Sequence, residues 1–279
     1  MAKPAVIVVS SHVARGAVGG RASVFALERM GFPVWSVPTV VLPWHPGHGK
    51  ATRLKLDEVD FAALVADLVG ARWLDEVGGV LAGYLGEAEQ IVTVALLVAA
   101  VKVKNPGALF LCDPVIGDSK GLFRPESVAA AIRDRLLPLA DIATPNRHEL
   151  VWLAGRSIGD NDGLIDVAAR LGVKEVVVTS ALASLGEIGT LLVTPGGAHL
   201  ATHRALPDAP HGTGDLFAAL YLGHRLDGLG GAIALERSVA AVLRLVELAV
   251  ERETDELPLA AGQDAFLAPP RGVTVRSLR

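Results

Sequence analysis

The feature that most limits the fold of this chain is a repeated change of hydrophobic period. Short, nearly all-apolar runs alternate with longer segments of helical spacing. Strands are predicted at residues 5–9, 34–41, 79–82 and 109–112, and helices at 21–30, 61–69, 88–104 and 126–137. The pattern continues with strands at Ile142, 176–179 and 191–194 and helices over 162–171, 215–225 and 232–252. A strand apolar on both faces must be covered on both faces, and parallel neighbours need a crossover helix. The expectation is an α/β fold: a three-layer α/β/α sandwich with a mostly parallel central sheet. No internal repeat and no Pro/Gly/Ser linker divides the chain, so residues 1–279 are expected to form a single domain, with 34–53 as a small flap at one edge of the sheet.

Composition narrows the function. With 51% apolar residues and no long polar run, the chain has the makeup of an ordered protein. The net charge is −4 and its Lys and Arg residues are scattered, without the basic footprint that nucleic-acid binding needs, so no nucleic-acid partner is expected. Cys112 is the single cysteine; it rules out an intrachain disulfide, suits a reducing compartment and reads as a small buried residue. Met1 leads almost directly into the apolar run at 5–9, too short and wrongly flanked for a signal peptide, and a cytoplasmic location is expected. The most apolar later stretch, 91–103, contains Thr93 and Lys102 and falls short of the roughly 20 residues that span a bilayer, so it reads as a buried helix with no membrane partner.

In parallel sheets ligands bind beyond the carboxyl ends of the strands, so the polar residues there carry the chemistry. The strongest candidate is His211-Gly212-Thr213-Gly214-Asp215 before the apolar helical run 216–222. Glycines entering a helix leave backbone N–H groups free for a phosphate, and Asp215 in the first turn is placed to accept a proton from a hydroxyl. The competing reading is that Asp215 caps the helix. A second candidate, Cys112-Asp113-Pro114-Val115-Ile116-Gly117-Asp118, puts two carboxylates past a buried strand, where they suit a hydrated Mg2+ or form an Asp-Pro turn. In Thr144-Pro145-Asn146-Arg147-His148-Glu149, the Asn146–Glu149 spacing suits either a metal–phosphate contact or a capped helix start, with Thr144 or Asn146 as the cap.

The fourth candidate is Ser10-Ser11-His12 after the first strand, together with Pro43-Trp44-His45-Pro46-Gly47-His48-Gly49-Lys50. Gly49-Lys50 is not a P-loop: Trp44 stands where glycine is required, and Ala51 replaces the metal-binding hydroxyl. His45 and His48 lack a third metal ligand nearby in sequence.

In order, Ser11-His12-Val13, Gly83-Tyr84-Leu85-Gly86, Cys112-Asp113-Pro114-Val115, Thr144-Pro145-Asn146 with Glu149, Val178-Thr179-Ser180 and Gly212-Thr213-Gly214-Asp215-Leu216-Phe217 resemble the motifs of pyridoxal kinases in the ribokinase-like superfamily. Leu139-Ala140-Asp141-Ile142 and Ala218-Ala219-Leu220 extend the resemblance over nearly the whole chain. It implies an ATP-dependent phosphotransferase acting on the 5′-hydroxyl of pyridoxal, with Mg2+, a monovalent cation such as K+, and a homodimeric assembly. On this resemblance Asp215 is the general base, and the amides of Gly212, Thr213, Gly214 and Asp215 stabilise the moving phosphoryl group. Asp113 and Glu149 support Mg2+ and ATP. Thr144 and Thr179 line the nucleotide site, with Asp118, Asn146 and Ser180 read alongside them. Ser11 and Tyr84 surround the pyridine ring, and the loop 119–123 covers the phosphates. A base, an anion hole and a metal carboxylate suffice for phosphoryl transfer without a Walker lysine.

Two departures concern the acceptor pocket. Pro43-Trp44-His45-Pro46-Gly47-His48-Gly49 replaces the family's Ser-Asn-His-Thr-Gly-Tyr-Gly and loses its Thr hydroxyl, with His45, His48 or Trp44 as replacement contacts; Gly20 stands where Asn is common. Related readings are a kinase for pyridoxine, pyridoxamine or hydroxymethylpyrimidine, and a non-catalytic vitamin-binding regulator.

Overall fold

The all-apolar run at 5–9 becomes an interior strand, in which Val6, Ile7, Val8 and Val9 are all fully buried. Successive side chains point to opposite faces, so Ile7 and Val9 enter one hydrophobic core and Val6 and Val8 the other. The computed structural model describes residues 2–278; Met1, the start of the N-terminal segment read above, and Arg279 lie outside the described residues.

The first half of the chain forms β1 (Ala5–Val13), α1 (Gly20–Arg29), β2 (Val34–Leu42), α2 (Glu58–Val69), β3 (Val77–Ala82), α3 (Ala88–Lys104) and β4 (Leu109–Cys112). A hairpin of β5 (Gly117–Asp118) and β6 (Gly121–Leu122) follows, then α4 (Glu126–Ala131), β7 (Ile142–Ala143), α5 (Arg147–Ala154) and α6 (Asn161–Ala169). The rest is β8 (Glu175–Ala181), β9 (Glu187–Thr194), β10 (Gly197–Arg204), α7 (Thr213–Leu226), α8 (Gly231–Glu251), α9 (Leu259–Gly262) and β11 (Thr274–Ser277). The main sheet has the order β11-β10-β9-β8-β7-β4-β3-β1-β2. Strands β2 to β8 in that order pair in parallel, and β9, β10 and β11 extend the edge antiparallel. Helices α2 to α6 cover one face and α1, α7, α8 and α9 the other, which makes the expected three-layer, mostly parallel sandwich. Among the described residues no helix is long and apolar enough to cross a membrane.

Several expectations need correction. Ser10, Ser11 and His12 do not follow the first strand but lie within it, because β1 resumes pairing with β2 past an irregularity between Ser10 and His12. Residues 34–42 are the edge strand β2 rather than part of a flap, which leaves only the following loop to cover that edge. The helix predicted over 126–137 is α-helical only to Ala131; a π turn over Ile132–Leu136 and a 3-10 turn over Leu137–Leu139 follow, where Pro138 cannot supply a helical N–H. Strands β10 and β11 were invisible to periodicity because His199, Thr202 and His203 interrupt the first and Arg276 the second.

Helix α7 carries the site. From Leu216 to His224 every residue is buried, since α7 packs against the sheet between α1 and α8. Leu220→Ala in this helix should cost about 2–5 kcal/mol of unfolding free energy, read from urea denaturation.

Candidate active site

Gly212 starts α7 with φ 95°, the left-handed region that favours glycine. A Cβ there would stand 1.9 Å from the Ala17 carbonyl oxygen, so backbone closes on backbone and a side chain has no room. No side chain caps the helix, and its first N–H groups therefore remain available. Gly212, Thr213 and Gly214 line a cleft of about 470 Å3 together with Asp118, Asn146, Thr179 and Ser180. An apolar wall from α8, including Val239, Val242 and Val246, closes its far side.

Asp215 is the third residue of α7 and not its cap. The nearby backbone N–H groups of Gly19 and of Asp215 itself favour its ionised form, yet burial outweighs both and raises its pKa to about 6. The residue stays partly accessible, so it is shielded without being sealed. Gly19 has φ 58°, and a Cβ on it would meet Ser11 Oγ at 2.2 Å. That contact brings Ser11, itself buried, beside the segment that holds Asp215.

The remaining acids converge from the ends of β4 and β7. Asp113 Oδ1 accepts a hydrogen bond from Thr144 Oγ1 at 3.1 Å; Thr144 is buried behind the carboxylate and does not line the cleft. Asn146 caps α5 by accepting the His148 and Glu149 N–H groups, while Glu149 Oε2 accepts the Asn146 N–H at 2.8 Å, a complete capping box. The other oxygen, Oε1, accepts the N–H groups of Ile116 at 2.7 Å and Gly117 at 3.4 Å, and Asn146 Nδ2 donates to Gly117 O at 2.8 Å. The capped-helix reading is therefore correct, and the same two side chains also tie down the turn after Asp113. Val115 in that turn has φ 44°, a strained value for a β-branched residue. Burial raises Glu149 to about 7 despite its three amide donors. Asp113 rises well above the carboxylate range, through burial first and then the charges of Glu149 and Asp215.

Just past β3, Tyr84 is held by its N–H donating to Ser10 Oγ at 3.1 Å, and its hydroxyl accepts from Arg53 at 2.7 Å. The His45 ring lies 4.0 Å from that of His211, which brings the 43–50 loop against the glycine turn that opens α7. Trp44 is the exception: its indole N–H donates to Gly49 O at 3.3 Å, so it closes its own loop and remains partly exposed. His48 approaches Glu256 at 3.3 Å, and among the described residues no group of three His, Cys, Asp or Glu side chains is arranged to hold a metal directly.

Sequence reasoning missed Gly19, Arg124 and a contact for His211. Gly19 adjoins Gly20, which was noticed only for a different reason, and Arg124 follows the 119–123 loop without belonging to any motif. Only the fold brings them to Asp215 and Tyr84.

A family model described as phosphomethylpyrimidine kinase matches residues 62–259. A pyridoxal kinase of Rubrobacter xylanophilus is 36% identical, over 97% of this chain and 96% of its own length. One from Granulibacter bethesdensis is 35% identical, over 95% and 96%. The chain belongs to the pyridoxal kinase family. Among solved members of that family, the Leishmania donovani pyridoxal kinase in complex with ADP and pyridoxamine superposes with a TM-score of 0.91 at 27% identity, covering 99% of this chain and all of the other.

Two outcomes follow from this geometry. Gly212→Ala should lose about 2 kcal/mol or more of stability in denaturant titrations, since it combines a positive φ with a backbone clash. The folded protein holds the Asp215 proton more tightly (about 6) than the unfolded chain (3.8), so this contribution to stability is complete below the unfolded value and lost as pH rises through about 6. Asp215→Asn, which never ionises, should exceed the parent by about 1–3 kcal/mol near pH 8 in metal-free buffer, with the gap closing towards pH 4.

Proposed function

We propose that this chain, acting as one domain, transfers the γ-phosphoryl group of ATP to the 5′-hydroxyl of pyridoxal. The observation that carries the reading is the carboxylate of Asp215, raised by burial to about 6, beside an uncapped glycine-rich helix end. A base with that pKa is largely ionised at neutral pH and still basic enough to take the hydroxyl proton as the oxygen attacks. The N–H groups of Gly212, Thr213 and Gly214 meet the charge on the transferring group without needing to reorient, and the Asp215 N–H faces its own carboxylate.

In this reading Thr179, Ser180, Asp118 and Asn146 border the nucleotide, and Thr144 orients Asp113. Ser11, Tyr84 and His45 border the acceptor, while Trp44 acts through the shape of its loop. Asp113 and Glu149 fit a Mg2+ that keeps most of its water. Burial raises both acids, and the charges of Glu149 and Asp215 raise Asp113 further; neither has a hydrogen-bonded cation to neutralise it, and the oxygens of Glu149 already accept backbone N–H groups. Bound there with the phosphates, the metal supplies charge neutralisation. The reading extends to a monovalent cation such as K+, a cytoplasmic location and a homodimer.

The test is ATP-dependent phosphorylation measured across pyridoxal, pyridoxine, pyridoxamine and hydroxymethylpyrimidine. Pyridoxal should give the highest kcat/KM, and a clear preference for hydroxymethylpyrimidine would overturn the assignment. Asp215→Asn should lower kcat by about a hundredfold or more with ATP affinity nearly intact. In the parent enzyme kcat should fall as pH drops below about 6, where Asp215 becomes protonated. Chelation by EDTA should abolish turnover, and added Mg2+ should restore it.

A further inference from the structure

Arg124, just past β6, is 7% exposed. Its Nε donates to Val115 O at 2.6 Å, and its guanidinium carbon lies 3.7 Å from the centroid of the Tyr84 ring. Beyond a weak approach to the Tyr84 side chain, the buried Nη1 and Nη2 have no hydrogen-bond partner among the described residues. Under-satisfied N–H groups on a buried cation are costly, and such groups are normally paired. Burial lowers the guanidinium only to about 10, so it remains charged at neutral pH.

The surroundings indicate what completes it. Glu149 is the nearby acid, but its oxygens are engaged by the N–H groups of Ile116, Gly117 and Asn146. Arg53 holds the hydroxyl of the same Tyr84, so that ring lies between two cations. Asp118 and Phe123 line the cleft beside the glycine turn, whereas the Arg124 guanidinium packs on the Tyr84 ring.

We propose that Arg124 is a specificity-determining residue that pairs with an anionic oxygen on the acceptor's ring. The inference rests on the acceptor named under Proposed function. Pyridoxal carries a hydroxyl directly on its pyridine ring that ionises to a phenolate, a partner for a guanidinium fork. Hydroxymethylpyrimidine carries an amino group, whose N–H donors face a guanidinium with like polarity. Selection thus works in both directions, by attraction of one ring and rejection of the other. The competing role is structural: Arg124 would only hold the strained Val115 in place, and its loss would then weaken every substrate alike.

The experiment compares the full-length parent, Arg124→Gln and Arg124→Lys on pyridoxal and on 3-deoxypyridoxal, which lacks the ring hydroxyl, with KM for ATP measured alongside. The parent should prefer pyridoxal by about tenfold to a hundredfold in kcat/KM. Arg124→Gln should erase most of that ratio by raising KM for pyridoxal, Arg124→Lys should restore part of it, and KM for ATP should move by less than about twofold. An unchanged ratio in Arg124→Gln, or an equal loss on both acceptors, would overturn the proposal while leaving the kinase reading intact. If Arg124→Gln fails to fold, the Arg124→Lys ratio decides: a value equal to the parent's at unchanged KM sinks it. A parent enzyme inactive on both acceptors but active on hydroxymethylpyrimidine would refute the acceptor assignment itself, on the parent's data alone.

Discussion

The site depends on how closely the start of α7 approaches the segment between β1 and α1. Gly212 lies against Ala17 O, Gly19 lies against Ser11, and the Gly19 N–H faces the Asp215 carboxylate across the gap. Each contact excludes a Cβ at its glycine. The same closeness that removes water from Asp215, and so raises its pKa, also leaves the first N–H groups of α7 pointing into the cleft. The raised pKa of Asp215 and the uncapped helix end therefore follow from a single packing event.

A second balance sets the acids across the cleft. Burial drives Asp113 and Glu149 towards protonation, and hydrogen bonds from Thr144, Ile116, Gly117 and Asn146 oppose it. Because the Ile116 and Gly117 donors belong to the turn around Val115, they also hold a backbone conformation that a β-branched residue avoids. Arg124 grips the same turn through the Val115 carbonyl while its remaining nitrogens stay under-satisfied beside Tyr84. Glu149 and Arg124 thus share one strained loop.

The sheet was legible where burial is symmetric. Val6 to Val9, Phe110 and Leu111 could only be interior strands, because nothing polar interrupts them. It was illegible at the antiparallel edge, where β10 and β11 carry His199, Thr202 and Arg276 and take their pairing from β9. In the site, Asp215, Asp113 and Glu149 were legible because each follows a strand or opens a helix in a short motif. Whether Asn146 and Glu149 serve a cap or a ligand was not, since the capping box uses one oxygen of Glu149 and the Ile116–Gly117 amides the other. That the Trp44 indole N–H would donate to Gly49 within its own loop was not legible either.

By itself the sequence determined the layers of the fold, the order of the strands' carboxyl ends and the residue types available there, because hydrophobic period and glycine placement are local properties. The tertiary structure alone decided that Gly19 would lie beside Asp215, that the His45 ring would meet that of His211, and that Arg124 would sit buried on Tyr84 with its Nη groups under-satisfied. Those contacts join segments distant in sequence, and their consequences come from desolvation and close approach, which exist only once the chain has packed.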